Sequence, residues 1–104
     1  MSNSDELSKL NKQGTYYTKL RELATKLSSS YQIKIVELYG IIISFLVEET
    51  FTTIIYDTKK NKVSIKKPND PVHLSRELSF DLDVEKIYKE LCTIAKDFSS
   101  STVI

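Results

Sequence analysis

The residues equipped for chemistry are few in this chain, and they are scattered. A single histidine, His73, follows Pro71 in a stretch that also holds Asp70, Ser75 and Asp81, and a single cysteine, Cys92, lies further on. Covalent catalysis needs a nucleophile and its base within hydrogen-bond distance. Cys92 falls beside an apolar helical stripe, where a small buried side chain is the ordinary explanation. No catalytic residue is assigned, and a non-enzymatic role is expected. Asp81, Asp83 and Glu85 lack the spacing and the glycine of a calcium-binding loop. Carboxylates at a helix start, favoured by the helix dipole, account for them, so no metal site is assigned. With Gly14 and Gly40 as the two glycines, neither glycine-rich phosphate-binding motif can be written, and no nucleotide or other small-molecule cofactor is expected.

Two features could carry binding instead. Lys59, Lys60, Lys62, Lys66 and Lys67 crowd into a predicted hairpin, where they could meet several phosphates as a basic β-wing does. Against this, the run has no arginine and no interleaved aromatic, and lysines commonly protect exposed strand edges. The tail Thr102-Val103-Ile104 resembles the Thr-x-apolar-carboxylate ligands of PDZ domains. Serine-rich termini are ordinarily mobile, and residues 99–104 are read as a flexible tail.

The elements that position these residues are organised around GIIISFLV, residues 40–47, in which both faces of an extended strand are apolar. Before it, IKIVELY is a second strand; after it, β-branched and aromatic FTTIIY is a third, and VSIKK, where Val63 and Ile65 alternate with Lys62, Ser64 and Lys66, is the last, with lysines on its outer face. An antiparallel meander of three to four strands over residues 31–67 is expected. Upstream, Leu7, Leu10, Tyr16, Leu20, Leu23, Ala24 and Leu27 recur at spacings of three and four and predict a helix within residues 4–29. Gly14 interrupts this pattern, so a loose first turn with Thr15 capping a new start is the alternative. Residues 68–82 begin with the breaker PNDP and read as loop with room for a short strand. Asp83 is a helix N-cap, and Val84, Ile87, Tyr88, Leu91, Ile94, Ala95 and Phe98 form the cleanest stripe in the chain, predicting a helix over residues 83–98.

These elements make one α+β domain over residues 1–98: two layers, with both helices on one face of the sheet. The 104-residue length suits one core, and the single cysteine excludes an internal disulfide. The acidic start MSNSDELSKL lacks a secretory pattern, and GIIISFLV is too short to span a membrane. An intracellular, soluble protein of cytoplasm or nucleus, with no membrane partner, is the expectation. Net charge is +1, so any pull towards nucleic acid must be local.

The functional expectation follows from coverage. Two short helices cover one face of a meander whose strands are apolar on both, so a second protein or another copy of the chain is the natural cover. The expected role is an adaptor or small complex subunit that docks or self-associates through the stripe Tyr16, Tyr17, Leu20, Leu23 and Leu27, or through the open sheet face. The alternative is a nucleic-acid-binding module using residues 59–67.

Overall fold

A computed structural model of the chain describes residues 6–69 and 74–100. A short 3-10 turn, Ser8–Leu10, precedes helix α1, Thr15–Ser28. Strands β1 (Ile33–Glu37), β2 (Ile41–Val47), β3 (Thr52–Asp57), β4 (Lys62–Lys66) and β5 (Leu74–Glu77) follow, and helix α2, Val84–Ser100, closes the fold. The sheet is an antiparallel meander in the order β1-β2-β3-β4-β5.

The sheet has five strands, not three to four. Leu74–Glu77 pairs with β4, Lys62 opposite Glu77 and Ile65 opposite Leu74, so β4 is interior and β5 is the edge. All four β5 side chains are exposed. With no buried face, the strand has none of the alternating hydrophobicity by which strands are read, and backbone pairing alone defines it. The expected lysine-protected edge is therefore a strand with neighbours on both sides.

Register explains which face the helices take. Ile33 and Ile35 of β1 lie across from Phe45 and Ile43, which lie across from Ile54 and Tyr56, which lie across from Ile65 and Val63. Because side chains alternate with period two, this one phase of every strand turns to the same face, and all eight are buried. Leu20, Leu23, Ala24 and Leu27 of α1 and Ile87, Leu91, Ile94 and Ala95 of α2 join them in one core. The helices lie side by side on this face, tied at the surface by Lys26 to Glu85 at 2.9 Å. Asp83 caps α2 as expected, its Oδ1 accepting from Lys86 N–H at 2.9 Å.

The single helix over 4–29 is divided. Gly14 has φ of 122° and occupies the N-cap position, with Thr15 the first helical residue. That backbone is one L side chains rarely adopt, which is why the apolar periodicity does not carry one helix through. The detached 3-10 turn still serves the fold. Leu10 is fully buried, and Arg21 Nη2 donates to the carbonyls of Leu10 and Lys12 at 3.0 and 3.3 Å.

Candidate interaction surfaces

The sheet edge at β1 is already occupied. Ile35 N–H donates to Glu6 Oε1 at 2.7 Å, and Ile35 C=O accepts from Lys9 Nζ at 3.1 Å. One residue's outward pair of backbone groups is thus met by two side chains of the N-terminal segment, which blocks pairing by another strand there. The Ile35 hydrogen bond, opposed by desolvation and helped by Lys9, holds the Glu6 carboxyl below the usual carboxylate range. Lys12 adds a bond to Glu37 at 2.6 Å on the same edge.

The stripe expected to receive a partner is buried instead. Leu20, Leu23 and Leu27 are wholly inaccessible in the core, because two helices over a five-stranded sheet need that entire face of α1 for packing. Tyr16 and Tyr17 are half-buried at its start. Tyr17 OH donates to Glu37 Oε2 at 3.3 Å. Tyr16 OH lies 2.8 Å from Thr58 Oγ1 and accepts from Ile41 N–H at 3.0 Å. Thr58 Oγ1 in turn donates to Ile41 C=O at 2.8 Å. A hydroxyl has one proton, and that of Thr58 goes to Ile41, so Tyr16 is the donor to Thr58. The three groups close a ring that pins α1 to the β1–β2 and β3–β4 turns.

The sheet face turned away from the helices is open. Val36 and Leu46 are each 39% exposed, and Ile42 and Ile55 are half-buried beside them. Cross-strand pairing sets Val36, Ile42, Asp57, Lys62 and Glu77 in one row across the sheet, and Lys34, Ser44, Ile55, Ser64 and Ser75 in the next. Over β1–β3 the face carries four aliphatic side chains, Val36, Ile42, Leu46 and Ile55, interspersed with Lys34, Ser44, Thr53 and Asp57, and the Val36 row continues as alternating charge towards β5. Sequence reading identified apolar residues on both sides of β1 and β2; the charged half was hidden because it depends on which residues of β3, β4 and β5 lie opposite one another.

The lysines do not form one patch. Lys59 and Lys60 sit in the β3–β4 turn, while Lys66 and Lys67 lie at the other end of β4, about 13 Å or more along the strand. Lys62 is flanked in register by Asp57 and Glu77. Lys59 Nζ stands 5.1 Å from the Tyr16 ring centroid, and its stem crosses Gly40, where a Cβ would meet Lys59 Cγ at 2.1 Å. The fold does bring Tyr39, 98% exposed, into the groove that Lys59 and Lys60 line. That aromatic is far from the lysines in sequence, so no local pattern announces it.

Cys92 is half-buried and shares a groove with Tyr31, Glu49 and Lys96. Burial pushes the Tyr31 phenol above its ordinary value, with Cys92 adding to it. His73, Asp70 and the Thr102-Val103-Ile104 tail lie outside the described residues. Among the described residues no group of three or more His, Cys, Asp or Glu side chains could hold a metal ion, and no helix is long and apolar enough to cross a membrane. No protein-family model, curated protein or solved structure matches the chain.

Proposed function

We propose that this protein is a non-enzymatic interaction module that docks on another protein through the open face of its sheet. The observation that carries the reading is the cluster Val36, Ile42, Leu46 and Ile55, aliphatic side chains left partly exposed by a fold that puts both helices on the opposite face. Completing the burial of four half-covered aliphatic side chains contributes roughly 1 kcal/mol each. The resulting total of about 4 kcal/mol corresponds to a dissociation constant near 1 mM, before the cost of association. A stable complex must therefore extend onto the row Asp57, Lys62, Glu77. The fitting partner is an amphipathic element whose apolar side lies over β1–β3 and whose charged flank meets that row.

The test is a pull-down of the tagged chain from lysate of its source cells, with and without nuclease, comparing wild type with the double variant Val36→Asp/Leu46→Asp. A stoichiometric protein partner lost with that variant, and kept by Lys59→Glu/Lys60→Glu, is the expected result. Retention by the sheet-face variant would refute the reading. Bound material that disappears on nuclease treatment would favour nucleic acid at the Lys59, Lys60 and Tyr39 groove, where a base could stack and phosphates pair.

A further inference from the structure

The two ends of the β2–β3 hairpin differ in shape and charge. At the β2–β3 turn Phe51 holds φ of 55° and is 67% exposed. A bulky residue is disfavoured in that conformation, and glycine would hold the same backbone freely. An aromatic ring is thus projected into solvent at a position where the backbone favours none. Glu48 and Glu49 precede it, both exposed, and neither forms an ion pair among the described residues.

At the opposite end of the hairpin is a groove of about 290 Å³, with Leu38, Tyr39 and Ile42 on one side and Asp57, Lys59 and Lys60 on the other. Leu38 is 65% exposed. The Asp57 carboxylate caps the β3–β4 turn, its Oδ1 accepting from the Lys59 and Lys60 N–H groups at 3.1 Å each, while the Lys60 ammonium forms no ion pair among the described residues. The groove has room for one ring and not for a folded element.

We propose that a second copy of this chain seats its Phe51 in this groove, with Glu48 and Glu49 of the incoming turn meeting Lys59 and Lys60 at the rim. An apolar knob with an acidic border matches an apolar groove with a basic one. The two surfaces are separated by the seven residues of β2, about 20 Å, so a chain cannot fill its own groove. The contact is head to tail, and repeated copies close into a ring or extend as a filament. It uses the hairpin ends rather than the open face; Ile42 and Asp57 border both surfaces, and the variants below touch neither residue, so it is tested separately from the docking reading above.

The experiment is sedimentation of the purified chain up to about 1 mM, where even a weak specific contact is half formed. Wild type is expected to gain mass with concentration. Phe51→Gly removes the knob, and Leu38→Asp/Lys60→Glu blocks the groove; both change exposed side chains, and retained thermal unfolding establishes that each folds. Each variant alone should associate at least about 30-fold more weakly, as when an anchoring aromatic or its pocket is lost. Mixed together they should form a one-to-one dimer that grows no further, since one variant keeps a groove and the other a knob. A wild-type chain monomeric throughout the range, variants that associate like wild type, or a mixture that does not pair would each overturn the proposal.

Discussion

Replacing Tyr16 by phenylalanine removes one oxygen and leaves the ring that packs edge-on against Phe80 and Tyr17, with centroids at 5.6 and 5.2 Å. The lost hydroxyl takes two hydrogen bonds with it. Ile41 N–H is left without the acceptor at 3.0 Å, and Thr58 Oγ1, on a residue 4% exposed, loses its donor. Thr58 keeps its own bond to Ile41 C=O, so the damage is confined to one orphaned donor and one weakened acceptor. Leaving a buried donor unsatisfied costs about 1–3 kcal/mol, and about 2 kcal/mol is the expected loss here. For a chain of this size the unfolding entropy converts that to a fall of roughly 9 °C in Tm. Calorimetry or circular dichroism against temperature measures it, with Tyr17→Phe as the control. The Tyr17 hydroxyl reaches the exposed Glu37 at 3.3 Å, and its removal should cost about 0.5 kcal/mol or less. The cycle with Thr58→Val should show coupling, since both residues belong to the same ring. Equal, small shifts for Tyr16→Phe and Tyr17→Phe would refute the reasoning and return Tyr16 to the surface as a residue free to meet a partner.

Two further outcomes follow from the same geometry. Glu6 has its folded-state pKa depressed by the Ile35 amide, so the unfolded chain takes up the proton first on acidification. The stabilisation is complete above the ordinary carboxylate pKa and is lost as pH falls through the lower folded value. In a pH titration followed by NMR, the Ile35 amide should move with Glu6, and Glu6→Gln should abolish that movement; an Ile35 amide that does not titrate would refute the contact. Asn61 sits at φ of 56°, accepts the Phe80 N–H on Oδ1 at 2.9 Å and offers its carbonyl to Leu78 N–H. Asn61→Gly should cost about 1 kcal/mol for the lost bond, and Asn61→Ala roughly 1 kcal/mol more for the backbone. Chemical denaturation ranks the two, and an alanine variant as stable as the glycine variant would contradict the account.

Much of the architecture is legible in the residues, because periodicity reports burial. The stripe Ile87, Leu91, Ile94 and Ala95 and the alternation in β4 each record one buried face, the β-branched and apolar runs of β2 and β3 mark strands without saying which face is buried, and those elements appear where the pattern places them. β5 has no buried face, and its residues left only the weak pattern that gave room for a short strand within residues 68–82. For α1 the pattern is equally clear, yet it is silent on what the apolar side meets. Core and docking surface look the same in sequence, since both are apolar stripes. The two-layer packing places Leu20, Leu23 and Leu27 in the core.

The chain by itself therefore determined the α+β class and the types of the longer elements that bury a face, though not the edge strand β5 or the division of the N-terminal helix. It also determined the absence of glycine-rich phosphate motifs, because composition and short-range spacing suffice for these. Tertiary structure alone decided which surfaces remain. Strand register put Lys62 between Asp57 and Glu77, dividing a five-lysine cluster into separated charges. Turn geometry carried Tyr39 to Lys59 and Lys60 and left Phe51 alone at the far end of the hairpin. Side-chain alternation along the strands left Val36, Ile42, Leu46 and Ile55 on the face without helices. Each of these is a relation between residues distant in sequence, set by cross-strand pairing and packing, so no local pattern of residue types contains it.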